Sequence, residues 1–154
     1  MDFQVVKLDK KAVDDFWHLR KELFLELGEI TTETDVEELE SASKKYYLDH
    51  IGKDLLNWGI RQDGHLVAIG SLCLFSRIPY QENLTGQEGY ILNIFTSKNY
   101  RKQGMANQIL DAIIDEAKKR GVRRLWLSSS DQGKSIYLNK GFREKANEME
   151  LFLA

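Results

Sequence analysis

The stretch Asn93-Ile94-Phe95-Thr96-Ser97-Lys98-Asn99-Tyr100-Arg101-Lys102-Gln103-Gly104-Met105-Ala106-Asn107 carries an extended apolar run through a polar turn straight into an amphipathic helical period. A helix start exposes unpaired N–H groups and the positive end of the helix dipole. Gly104 lets backbone approach a ligand because no Cβ stands in the way, and Arg101, Lys102 and Gln103 bring further donors to the same turn. Such a turn suits a pyrophosphate. The alternative reading is an ordinary loop with a solvated Arg-Lys pair.

Working outward, Ala106, Ile109/Leu110, Ile113 and Ala117 repeat at helical spacing from Met105 to Gly121, and Arg124 to Ser128 is extended through Leu125, Trp126 and Leu127. Strand, helix and strand in that order make parallel neighbours. A short helix near Gly133 to Lys140 stops at Gly141, and a final strand is expected over Met149 to Leu153. Upstream, Phe3 to Leu8 reads as a strand and Lys10 to Leu27 as a helix with one broad apolar face, ended by Gly28. Thr34-Asp35-Val36-Glu37 has the pattern of a capping box opening a helix that runs to about Ile51. Leu55 to Gln62 and His65 to Phe75 flank Asp63-Gly64 as a hairpin, Pro79 to Gly89 is a loop, and Tyr90 to Thr96 is a central strand. This order supports an α/β fold in which a mixed sheet packs against helices.

At 154 residues the chain suits one domain, and 42% hydrophobic with 30% charged residues places it among globular proteins rather than disordered or fibrous ones. Leu66 to Phe75, the longest mostly apolar stretch, is too short to span a bilayer as a helix, so no membrane partner is expected. The N-terminal residues lack the pattern of a secretory signal, which gives a cytoplasmic address as the expectation. Cys73 is the only cysteine and excludes an internal disulfide. His18, His50 and His65 show no metal-ligand spacing, so no metal is expected. The net charge of -2 argues against nucleic acid. The one basic cluster, Lys118, Lys119, Arg120, Arg123 and Arg124, reads as compensation of a helix C-terminus.

A second motif lies some thirty residues after the first, where Tyr137-Leu138-Asn139-Lys140-Gly141-Phe142 closes a short helix. With Arg101-Lys102-Gln103-Gly104-Met105-Ala106, which fits Arg/Gln-x-x-Gly-x-Gly/Ala, the chain resembles the GCN5-related N-acetyltransferase (GNAT) superfamily over nearly its whole length. The resemblance implies a mixed, mostly antiparallel central sheet of six to seven strands flanked by about four helices, with residues 1–154 as a single acetyltransferase domain. It also implies acetyl-CoA as cosubstrate and direct transfer of an acetyl group to a primary amine. Ile94, Phe95 and Thr96 match the bulged strand whose backbone meets the pantetheine, and Arg101, Lys102, Gln103, Gly104, Met105, Ala106 and Asn107 match the pyrophosphate loop. Tyr137 matches the general acid that protonates the departing thiolate, its alternative being a core tyrosine packed beside Phe142.

Glu88, just ahead of the central strand, is the candidate general base, with a solvated surface carboxylate as the alternative. Asn93 either orients substrate or water or closes a backbone hydrogen bond. Two positions depart from the family pattern. Lys98 stands where a proline commonly follows the bulged strand, and Ser130 stands where many members carry asparagine, so Ser130 either contacts the coenzyme or caps the helix. The acceptor is expected to be a small-molecule, peptide or protein amine, chosen by the region from about Glu22 through Asp35 and by the loop Pro79 to Gly89. Trp17 and Phe24 line that cleft or belong to the core. Dimers are common in the family, so a homodimer is one expectation. The rival reading is a non-catalytic acetyl-CoA-binding sensor or interaction module.

Overall fold

A computed structural model describes residues 3–153. Strand β1 (Val6–Lys7) leads through a 3-10 turn (Lys10–Ala12) into α1 (Val13–Leu27), followed by α2 (Glu37–His50). Then come β2 (Leu55–Gln62), β3 (His65–Ser76), β4 (Gln87–Thr96), α3 (Met105–Lys119), β5 (Arg124–Leu127) and α4 (Lys134–Asn139). The strands form one sheet in the order β1-β2-β3-β4-β5, antiparallel except for the parallel β4–β5 pair.

Local chemistry accounts for most boundaries. Gly28 adopts φ +76° and its N–H turns back to the carbonyls of Phe24 and Leu25, which ends α1. Asp63 and Gly64 both take positive φ, +52° and +80°, the conformation that a two-residue hairpin turn matched to strand twist requires. On one face of the sheet α3 buries Met105, Ile109, Leu110, Ile113 and Ala117 against Leu56, Trp58, Leu72 and Ile91. On the other, α1 and α2 contribute Phe16, Leu19 and Tyr47 to a second cluster with Leu55, Ile69 and Phe95.

The sequence-based expectations need four corrections. Five strands are present among the described residues, not six to seven, because Met149 to Leu153 forms no ladder. Its Met149, Leu151, Phe152 and Leu153 are 98, 82, 85 and 87% exposed. Alternating apolar residues choose which face of a strand turns inward, but only backbone pairing makes the strand. β1 is similarly reduced to the two residues that pair with Trp58 and Gly59. β4 begins at Gln87, so three residues assigned to the loop lie in the sheet. The capping box does not form: Thr34 Oγ1 accepts from the Thr31 N–H at 2.9 Å, and Asp35 Oδ1 accepts from the Glu37 N–H at 3.0 Å. The Thr31–Thr34 turn uses up the threonine hydroxyl before the helix starts.

Two features of β4 set its shape. Between the pairs Ile69↔Phe95 and Ser71↔Leu92, β3 contributes only Gly70 while β4 contributes Asn93 and Ile94. That is a β-bulge, and Asn93 takes φ +58° within it. A Cβ on Gly70 would stand 2.4 Å from Ile109 Cγ2 and 2.8 Å from Ile94 Cδ1, so glycine lets α3 close over the bulge. At the other end of β4 the buried Glu88 carboxylate accepts from Arg124 Nη1 at 3.1 Å, from Asn83 Nδ2 at 3.4 Å and from the Tyr80 hydroxyl, with Arg77 Nη1 at 3.8 Å. Burial pushes its pKa up, but the hydrogen bonds from Tyr80, Arg124 and Asn83 and the charge of Arg124 outweigh it and hold the carboxyl below its ordinary value.

Substituting Gly70→Ala is expected to cost about 1–3 kcal/mol of stability by overpacking, read from denaturant midpoints, and an unchanged midpoint would mean the bulge and α3 are looser than described. Glu88→Gln leaves the arginines without their counter-charge and is expected to cost on the order of 3–5 kcal/mol at neutral pH. Because the folded pKa of Glu88 lies below its unfolded value, its stabilisation is complete above the unfolded value and is lost as pH falls through the folded one. The deficit of Glu88→Gln should therefore shrink in urea melts near about pH 3, and an equal deficit at both pH values would contradict the ionised, paired state.

Candidate functional site

The β4–β5 ladder runs from Glu88↔Arg124 to Ile91↔Leu127 and stops there, while β4 continues past the bulge to Thr96. Two parallel strands thus part at their carboxyl ends, the place where open α/β sheets receive ligands. β4 runs on into the turn that starts α3, and β5 runs on into α4, so the Gly104 turn and Tyr137 follow the two strands that border one gap. Beyond Ile91, the edge of β4 that faces away from β3 pairs with no strand among the described residues.

The turn is built on two left-handed residues, Lys102 at φ +63° and Gly104 at φ +86°, with Gly104 capping α3 and no side chain capping it. The N–H groups of Gln103, Gly104, Met105, Ala106 and Asn107 meet no protein acceptor among the described residues. The direction a Gly104 Cβ would take is open space. Met105 buries its side chain in the α3 cluster, so only its backbone serves the turn. Lys102, Gln103 and Asn107 are exposed. Arg101 points inward: its Nε donates to the Thr96 carbonyl at 2.8 Å, its Nη2 meets Glu26 at 2.7 Å, and its guanidinium lies 5.4 Å from the Phe95 ring centroid. The side chain clamps the turn to β4 and α1 and leaves the ligand-facing surface to backbone. Ile94 packs toward α3 and Phe95 toward α1, so what these two residues present to the gap is again backbone.

Tyr137 is half-buried, edge-on to Phe142 with centroids 5.9 Å apart, and burial pushes its pKa up to about 12. It lines a groove of about 770 Å³ between β5 and residues 142–148, beside Trp126, Leu127 and Ser129. Ser130 Oγ accepts from the Gly133 N–H at 3.2 Å, the turn that opens α4. Glu88 stands apart from these groups, five residues and about 16 Å of extended strand before Asn93. Trp17 belongs to the core at 5% exposure, and Phe24 lies under the Arg20 guanidinium at 4.5 Å.

A polar chain across the sheet went unread in the sequence. Asn93 Oδ1 accepts from Arg20 Nε at 3.3 Å, Asn93 Nδ2 donates to Ser71 Oγ at 3.1 Å, and the Ser71 hydroxyl donates to Asn57 Oδ1. Arg20 Nη1 also donates to Ser43 Oγ at 2.9 Å, tying α1, α2 and the bulge together. The available signal was one polar residue inside the apolar run Ile91-Leu92-Asn93-Ile94-Phe95, of a type that tolerates the left-handed conformation.

Comparison with known proteins places this geometry. The sequence profile described as the Acetyltransferase (GNAT) family matches residues 14–142. A [Ribosomal protein bS18]-alanine N-acetyltransferase of Escherichia coli (strain K12) is 29% identical over 105 residues, 66% of this chain and 64% of that protein. The matched part thus spans just under two thirds of the length of that curated relative. A predicted acetyltransferase of Clostridium acetobutylicum, solved with acetyl-CoA, superposes with a TM-score of 0.88 at 25% identity, covering 98% of this chain and 96% of that one. A GCN5-related N-acetyltransferase from Ralstonia eutropha JMP134 superposes at 0.84 with 18% identity, covering 99% of each chain. With the profile spanning both the Gly104 turn and Tyr137, the chain belongs to the GNAT acetyltransferase family.

Proposed function

We propose that residues 1–154 act as a single acetyl-CoA-dependent N-acetyltransferase domain that passes an acetyl group directly to a primary amine. The observation that carries this reading is the row of unengaged N–H groups from Gln103 to Asn107, opened by the left-handed Gly104 at the mouth of the β4–β5 gap. Backbone donors at a helix start suit a pyrophosphate, and the side without a Cβ admits it. The Clostridium acetobutylicum structure with acetyl-CoA supports the same occupant. The acceptor is a small-molecule or protein amine; the relative named for ribosomal protein bS18 alanine supports the protein amine. A cytoplasmic setting fits the free thiol of Cys73, and no described helix is long and apolar enough to cross a membrane.

In this reading the unpaired edge of β4 past the bulge polarises the thioester carbonyl with backbone N–H. The neutral amine attacks the carbonyl carbon, the new C–N bond forms, and the C–S bond breaks as the tetrahedral intermediate collapses. Tyr137 gives its phenolic proton to the departing sulfur, and the amine releases its extra proton to solvent. A pKa near 12 keeps the phenol protonated throughout the neutral range, so the donor is always loaded and delivers its proton only when charge develops on sulfur. Glu88, with its carboxylate enclosed by Arg124, Tyr80 and Asn83, suits anchoring the loop before β4 rather than accepting that proton.

Calorimetric titration with acetyl-CoA and with desulfo-coenzyme A is expected to show binding that Gly104→Glu weakens by about a hundredfold or more. That substitution strains a φ of +86° and puts a carboxylate where an anion belongs. Undiminished binding by the variant would remove the cradle. Tyr137→Phe should lower kcat by about 10²-fold at saturating substrates, followed by free thiol release. Deprotonation of Tyr137 at about 12 implies no descending limb in kcat through the moderately alkaline range. A fall centred near neutrality would exclude Tyr137 as the proton donor, and acetyl-CoA binding without thiol release to any amine would favour a sensor.

A further inference from the structure

Arg20 is turned toward the bulge, and no carboxylate among the described residues touches it. Arg101, held against the end of β4, and Arg124, in β5, each hold a carboxylate, at 2.7 and 3.1 Å. Arg20 has no carboxylate within 4 Å among the described residues; its partners are the neutral oxygens of Asn93 and Ser43 and the face of Phe24. Burial draws its pKa down, offset in part by the field of Glu29 and of Cys73. Arg20 is half-buried, and drawing a cation part-way out of water with no carboxylate in contact is costly.

The guanidinium geometry shows where a partner fits. Nε–H and one Nη2–H point the same way, forming the side edge that carboxylates grip with both oxygens. Here Nε is engaged by Asn93 at a long 3.3 Å, Nη1 is engaged by Ser43, and neither Nη2–H has an acceptor among the described residues. The half-satisfied edge therefore lies at Asn93, the left-handed residue of the bulge. Half-exposed aromatic groups extend the same face of the sheet. The register sets Cys73, Tyr90 and Trp126 side by side, Tyr90 and Trp126 meet edge-on at 4.5 Å, and Tyr46 reaches the Cys73 sulfur at 3.9 Å.

We infer that Arg20 is the acceptor-recognition residue, and that the acceptor is a carboxylate-bearing primary amine of amino-acid type whose carboxylate completes the Arg20 side edge beside the bulge. The inference rests on the acetyltransferase reading above, because it places the attacking amine at the bulge. An amine and a carboxylate on one carbon keep the two groups close enough for the carboxylate to reach Arg20 while the nitrogen meets the thioester. The Tyr90–Trp126 shelf takes an apolar side chain. A polyamine or an amino sugar brings more positive charge to Arg20 and is disfavoured.

Phenylalanine, phenylalaninamide and phenethylamine, with leucine, leucinamide and isopentylamine, form matched sets for thiol release at saturating acetyl-CoA. The wild-type protein is expected to favour each amino acid over its decarboxylated amine by about tenfold or more in kcat/KM, a gap of the size of one charge-assisted pair. Arg20→Gln should bring that ratio close to one, through KM for the amino acid, and Arg20→Lys should keep part of it because a point charge remains. Taking the ratio within each variant cancels any common loss of folding or turnover. No turnover of any carboxylate-bearing amine, an amide used as well as its acid, or a ratio in Arg20→Gln equal to wild type would each overturn the inference. If amines without a carboxylate are acetylated equally well, the acetyltransferase reading stands and only the Arg20 inference falls. If calorimetry shows no acetyl-CoA binding, both fall.

Discussion

One residue too many in β4 governs the rest of the structure. Opposite Gly70, β4 spends two residues, Asn93 and Ile94, where β3 spends one, and a strand so bulged bends and gains twist. Its parallel neighbour β5 cannot follow and loses its ladder after Leu127, so the gap between the strands is a consequence of the bulge rather than of any loop. The bulge in turn depends on two residue types. Asparagine tolerates φ +58°, and glycine is needed opposite it because any Cβ at Gly70 would run into Ile109 and Ile94. The same bulge sends Asn93 toward α1 and Ile94 toward α3, which joins the polar chain on one face to the apolar packing on the other.

The two ends of β4 are built by opposite means. At its start, Glu88 is enclosed by two arginines, a tyrosine and an asparagine, which fixes the register of β4 on β5 and pins the loop from Arg77 to Gly86. At its end, backbone groups are left without partners among the described residues, Arg101 is drawn to Glu26, and Arg20 meets the neutral oxygens of Asn93 and Ser43. A strand locked at one end and open at the other can hold a gap without losing its place in the sheet. That asymmetry also separates two arginines that look alike in sequence: Arg124 holds the Glu88 carboxylate, and Arg20 holds none among the described residues.

The helices, the hairpin and the turn before α3 were legible because each is written in local periodicity and in one or two punctuating residues. Gly28, Asp63-Gly64 and Gly104 all stop or turn the chain where the sequence places them. What escaped depends on partners distant in sequence. Met149 to Leu153 has the composition of a strand and no ladder, and Phe3 to Leu8 keeps only two paired residues. The Glu88 environment needs Arg124, thirty-six positions away, and Arg20 meets Asn93 across seventy-three. Periodicity cannot see such pairs. Family resemblance located the turn and Tyr137 but had no motif for the α1–α2 side, where the unmatched arginine lies.

This division follows from how each part recognises its ligand. The Gly104 turn offers backbone N–H groups, and backbone is conferred by φ, ψ and helix position rather than by side-chain identity. A fold can therefore keep that surface while its residues change. Side-chain recognition has no such tolerance. A guanidinium edge exists only where an arginine stands, oriented by a particular asparagine and serine, and a change at any of the three alters what fits beside it. The backbone architecture thus fixes where a ligand can meet the Gly104 turn. On the proposed reading, discrimination falls to the side chains of α1 and α2 that approach the bulge, where Arg20 meets Asn93 and Ser43 with no carboxylate in contact among the described residues.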